Sequence, residues 1–321
     1  MNLALPQGAA DFGASSRRAV VDAGGFELFR RAEEDPGLRT TLVEPMLERL
    51  GLFELDPRED VESAMAAAEL CRLSGAYAVP YPVVATLGAP PAGDWRFAAL
   101  VDERGPWIEH ADLAGPWLAI DREGRSGDAE VVPATRNPTL VPFARAVRAD
   151  WTGPAVGRGE RALLLDLDSS RILGALEMAH GLAVAHVQER EQFGRPLAAF
   201  QAVQFHVADC EVAVRGLRQL LRYTFSRWGA GAGAWTDALA LRTFALETAG
   251  TVLSTAELLH GATGFCNEHD LTVITRSVQG PVRLPVGLEE TTEMLASAID
   301  VDGFDGLFSS TVAATGSSDA A

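Results

Sequence analysis

Phe200, Val203, Val207, Cys210, Val214, Leu217 and Leu221 recur at steps of three and four. That spacing holds seven apolar side chains on one stripe of a long helix, and the stripe needs a second helical surface to cover it. A similar stripe precedes it: Ile172, Leu176, Ala179, Ala183 and Val187. A third follows, with Leu241, Ala245, Val252, Ala256 and Leu259 ending at Gly261. Gly194-Arg195-Pro196 breaks the first pair apart, and the glycines of 229–233 form a connector before the third. Long helices following one another in this way predict a helical bundle over 158–308.

Upstream the pattern changes. Over 1–90 it is helical, most clearly where Val61, Met65, Ala68 and Arg72 share a face with Ala64, Ala67 and Cys71 beside it. Pro80 and Pro82 end that segment. Over 91–157 short runs such as Trp95–Val101 and Trp117–Ile120 sit between Gly, Pro and Asp breaks, which predicts a small, reduced β domain. The Ser/Ala/Thr/Gly-rich stretch 309–321 is expected to be a disordered tail. The expected fold is therefore mostly α with a small β domain: a helical N-terminal domain, a middle β domain and a C-terminal helical bundle.

Charge narrows the partners. A net charge of −17 over 321 residues repels nucleic acid and anionic membranes, so neither is expected as a partner. There is no long uncharged apolar run and no basic segment leading into an apolar one near Met1, so neither a membrane span nor a signal peptide is expected. Cys71, Cys210 and Cys266 are odd in number and widely spaced, which fits a reducing, cytoplasmic setting without disulfides. No metal-ligand spacing occurs: His180 and His186 are six apart, and His269 stands between Glu268 and Asp270, neighbours that point in different directions. No metal is expected.

In so acidic a chain, arginines placed together stand out. Arg190-Glu191-Gln192-Phe193-Gly194-Arg195-Pro196 joins a guanidinium fork, an amide and an aromatic at a chain break, and Gln201 opens the next helix. A fork can take a diphosphate and an aromatic can stack on a ring. The residues alone read equally as a surface turn with an Arg–Glu pair and a buried phenylalanine. Downstream, Leu258-Leu259-His260-Gly261-Ala262-Thr263-Gly264-Phe265 is a glycine-bearing loop after a helix, where backbone can approach a ligand closely.

The stretch EREQFGRPLAAFQAVQFHVADCEVAV, together with the 258–271 loop, resembles the signature of the acyl-CoA dehydrogenases, which use FAD. The resemblance is strong over about 170–275, moderate over 15–90 and poor between them. It implies the three-part fold read above, with a four-helix bundle as its C-terminal part. It also implies that Arg190, Gln192, Phe193, Gln201 and the loop residues His260, Gly261, Ala262 and Gly264 touch the ADP half of an FAD held mainly by a neighbouring subunit. Leu258 stands where the family has Gln, and Ala262 where it has a second Gly.

The family removes a proton next to the thioester with a carboxylate, while the β-hydrogen leaves as hydride to the flavin. The matching segment here, Arg276–Gly287, contains no carboxylate. The family's alternative base position falls near Leu163–Leu165, with Asp166 and Asp168 close by. The family's flavin-holding segments have no clear counterpart in the middle domain. This combination is similar to the short β-type subunits of actinobacterial heterotetrameric acyl-CoA dehydrogenases. It implies an FAD-dependent subunit of an α2β2 assembly acting on an acyl-CoA, in which a longer partner carries the catalytic Glu. One alternative is a self-sufficient homo-oligomer with Asp166, Asp168 or Glu289 as a displaced base. Another is a structural or regulatory binding protein on the same scaffold.

Overall fold

The computed structural model describes residues 3–104, 106–133, 141–228 and 235–302. The expected 229–233 connector and 309–321 tail lie outside them. Helices α1 (Gln7–Asp22), α2 (Phe26–Glu34), α3 (Glu44–Arg49), α4 (Val61–Ala76) and α5 (Val83–Leu87) come first. Five strands follow: β1 (Phe97–Leu100), β2 (Trp107–Glu109), β3 (Trp117–Ile120), β4 (Ser126–Val131) and β5 (Ala144–Ala149). They form one sheet in the order β1-β3-β4-β5-β2, in which β1 and β3 run parallel and the other pairs antiparallel. The sequence pattern located β1 and β3, whose residues are mainly apolar. It missed β2, β4 and β5, which are short or interrupted by charged residues.

The C-terminal bundle comprises α6 (Arg158–Glu189), α7 (Gln201–Trp228), α8 (Trp235–His260) and α10 (Leu288–Asp302), with the short α9 (Asp270–Ser277) beside it. Helix α6 is its centre, packing on α4, α7 and α8. Its stripe is buried at all five predicted positions, from Ile172 to Val187. Helices α4 and α6 meet backbone to backbone. A Cβ added at Gly174 would lie 1.7 Å from the carbonyl oxygen of Arg72, and one at Gly75 would lie 1.8 Å from that of Arg171. Only paired glycines allow that approach, and it locks the N-terminal helices onto the bundle.

The α7 stripe behaves differently at its two ends. Cys210, Val214, Leu217 and Leu221 are buried, whereas Val203 and Val207 are only partly covered. Phe205 and Val212, on the outward side, are 60% and 72% exposed. The N-terminal end of α7 is therefore left uncovered by this chain, and it lies next to the 190–201 segment.

Candidate functional site

The segment after α6 is a tight hairpin. Strands β6 (Glu191–Gln192) and β7 (Arg195–Pro196) pair antiparallel across Phe193-Gly194. Both turn residues have positive φ, 53° at Phe193 and 75° at Gly194, as a two-residue hairpin loop of the primed type requires. Glycine adopts that conformation freely, but phenylalanine does not. The ring it projects is 90% exposed. A large apolar ring held in solvent on a disfavoured backbone is the opposite of a packing residue. The plain surface-turn reading fails on both counts: Phe193 is not buried, and Arg190 makes no ion pair among the described residues. Arg195 instead lies over the Phe200 ring, 4.1 Å from its centroid.

Two segments far apart in sequence meet here. Arg190 and Gln192 line a groove of about 420 Å³ with His260, Gly261 and Ala262 at the end of α8. Gly261 has φ 59°, which turns the chain out of the helix. Three expected site residues stand outside this lining. Phe193 is at the hairpin tip, Gln201 is exposed at the start of α7, and Gly264 is buried beneath the loop. A Cβ on Gly264 would come within 3.0 Å of the His260 Cβ, so this glycine serves packing of the loop.

Histidine chemistry in the groove was not anticipated. The rings of His186 and His260 stack at 4.4 Å, and His269 meets His260 edge-on at 4.8 Å. His186 lies in the last turn of α6, and its carbonyl accepts from the N–H of Arg190, four residues on, where the helix ends. Two large apolar side chains flank the groove, Leu258 and Phe265, each 66% exposed.

A second site lies between the sheet and the bundle. Glu109, Asp168, Arg171, Gly280 and Pro281 line a cavity of about 90 Å³. That volume is well short of the roughly 300–1,000 Å³ of ordinary ligand pockets. Its charges are mutually engaged. Arg171 pairs with Glu109 at 2.7 Å and donates to the carbonyl of Ser277 at 3.1 Å. Arg242, 1% exposed, pairs with Asp168 at 3.0 Å. Its other nitrogen donates to the carbonyls of Pro281, Leu284 and Val286 at 2.9, 2.5 and 3.3 Å. One buried guanidinium thus ties the whole 281–286 loop to α8 and α6.

Residues 168–292 match the family model for the acyl-CoA dehydrogenase C-terminal domain. The chain superposes on the Tcur3481-Tcur3483 steroid ACAD with a TM-score of 0.74 at 20% identity, covering 92% of this chain and 99% of that one. The chain carries the acyl-CoA dehydrogenase fold. The ChsE4-ChsE5 complex from Mycobacterium tuberculosis gives a TM-score of 0.71 at 16% identity, covering 94% and 99% of the two chains. In sequence, the acyl-CoA dehydrogenase IpdE2 of Mycolicibacterium smegmatis is 30% identical over 182 residues, 56% of either protein. The 3-(aryl)acrylate reductase of Clostridium sporogenes is 27% identical over 130 residues, 40% of this chain and 34% of that protein. The chain thus spans about half or less of the length of these curated relatives in the aligned regions.

On this acyl-CoA dehydrogenase scaffold, the segment expected to hold a base is the loop clamped by Arg242. The three carboxylates considered as replacements are placed unlike one another. Asp168 is the partner of Arg242. Glu289 is exposed at the start of α10. Asp166 is 1% exposed, and its Oδ1 has no hydrogen-bond partner. Burial, and then the nearby Asp237 charge, push the Asp166 carboxyl well above the usual carboxylate range. Such a group favours folding in its protonated form. It exacts nothing below the unfolded-state carboxylate range, and destabilises progressively as pH rises from there toward the folded-state value. Asp166→Asn is therefore expected to raise the melting temperature near neutral pH, with the gain vanishing in acid; thermal melts across pH check this.

Among the described residues no helix is long and apolar enough to cross a membrane.

Proposed function

We propose that this chain is a subunit of an FAD-dependent acyl-CoA dehydrogenase, that it completes the ADP-half site of a flavin held mainly by another subunit, and that the catalytic carboxylate lies on that partner. The observation that carries the reading is the contrast between the chain's two sites. The Arg190–His260 groove is open, positively charged at one wall and bordered by exposed apolar side chains. The segment where the resemblance expects a base has no carboxylate, and its backbone is held by Arg242 beside a cavity of about 90 Å³.

The residues fit the dinucleotide by their donor set. Arg190 makes no ion pair with a carboxylate among the described residues and can direct two parallel N–H donors at a diphosphate. Gln192 can bond a ribose hydroxyl. The turn at Gly261 brings backbone to the groove wall without a side chain in the way. Phe193 and Phe205 supply apolar surface that a neighbouring subunit would cover. When bound, the flavin supplies the hydride acceptor for desaturation of the acyl thioester; this chain's residues bind and exclude water. Two of the structures that share the fold have paired names, Tcur3481-Tcur3483 and ChsE4-ChsE5, the second described as a complex. They support a heteromeric assembly, of which α2β2 is the form we favour.

Arg190→Ala tests the assignment. Losing a charge-assisted contact of about 1.5–3 kcal/mol predicts roughly a tenfold to hundredfold weaker hold on FAD by the assembly, with folding unchanged because the side chain supports nothing else. Flavin occupancy after dialysis reads this directly. Unchanged occupancy would favour a purely structural role for the chain.

A further inference from the structure

The histidines of the groove do more than line it. The Nδ1 of His260 lies 2.8 Å from the Ala256 carbonyl oxygen and must donate to it, so the free position on this ring is Nε2. The Nδ1 of His269 accepts from the Leu271 N–H at 3.1 Å, capping α9. Accepting at Nδ1 leaves the ring N–H donor at Nε2. Neither ring nitrogen of His186 has a hydrogen-bond partner among the described residues. His186 and His260 therefore stack face to face with two free nitrogens, next to Arg190 and with no carboxylate bonded to either ring.

From the geometry we propose that the stacked His186–His260 pair is a proton-linked part of the anion grip: it takes up about one proton when a nucleotide diphosphate enters beside Arg190. This rests on the reading of the groove as the nucleotide site and adds to it one binding residue, His186, and a pH dependence carried by His186 and His260. The stacked rings share a surface, and a second positive charge on the pair would be opposed by the first.

The surrounding charges set the direction. Burial holds the His186 imidazole below its usual range, aided by His269 and by Arg190 just past the end of α6, while Glu189 at the end of that helix pulls the other way. Burial does the same to His260, aided by His186 and His269. Glu257 lies one turn earlier on α8. Asp270, which follows His269, is held by Arg30 of α2 at 2.7 Å and by its place at the start of α9. The empty groove thus keeps the pair neutral near neutral pH. An anion bridging Arg190 and His186 cancels the repulsion and favours the charged form, so affinity rises as pH falls, and levels off once the empty groove is itself protonated.

The test measures FAD rebinding to the flavin-stripped assembly in which the chain purifies, from alkaline to mildly acidic pH, by fluorescence quenching. The FAD diphosphate does not titrate in that interval. One linked proton predicts a dissociation constant that falls by up to about tenfold per pH unit in the responsive window. Calorimetry in two buffers of different ionisation enthalpy should show the proton taken up. His186→Gln and His260→Gln should each flatten the profile while binding at the alkaline end persists; two variants guard against one misfolding. A slope unchanged in both, with Arg190 still required, overturns the proposal alone. Binding that ignores Arg190 at every pH overturns the nucleotide-site reading beneath it.

Discussion

Arg242→Ala is expected to destabilise the chain by about 3–5 kcal/mol, the usual consequence of removing one partner from a buried ion pair. The chain loses the countercharge to Asp168 and leaves the carbonyls of Pro281, Leu284 and Val286 without their donor. The Asp168 carboxyl is already pushed up by burial, against which Arg242 and Arg171 pull it down; without Arg242 it has to take up a proton or open the loop. The double variant Arg242→Ala with Asp168→Ala should recover part of the loss, because no uncompensated charge remains. Denaturant midpoints of the two singles and the double measure this coupling. A loss under about 1 kcal/mol for Arg242→Ala would mean the loop is not held by this residue.

The second large effect concerns where the chemistry resides. Within the assembly, Asp166→Asn and Glu289→Gln in this chain are expected to leave turnover within about twofold. Removing a general base from the partner should cost a factor of roughly 10²–10⁴. Stopped turnover at either residue here would locate the base in this chain and revive the self-sufficient enzyme. The difference in magnitude makes steady-state assays sufficient.

The sequence carried the helical framework well because its long stripes are local and periodic. All five positions of the α6 stripe are buried, as are Leu241, Ala245, Val252 and Ala256 of α8. The strands were harder: Glu130 and Arg148 face each other across β4 and β5, and no alternation marks a three-residue strand such as β2. Of the site, the residues indicated both segments, and only the resemblance implied that they meet, because the meeting depends on α6 and α8 ending at the same edge of the bundle. The bond pattern of Arg242 was equally hidden. A charge inside the apolar run Leu239–Leu246 is visible, but its three carbonyl partners lie about 40 residues downstream. The hairpin at 191–196 was read as a simple break, since positive φ at a phenylalanine is not something composition forecasts.

The most direct test of the central claim is the flavin content and activity of the chain purified by itself. The account predicts that the isolated chain holds no stoichiometric flavin and does not oxidise acyl-CoA thioesters, and that both properties arise when it is co-purified with a longer dehydrogenase. Stoichiometric flavin together with turnover by the isolated chain would contradict it.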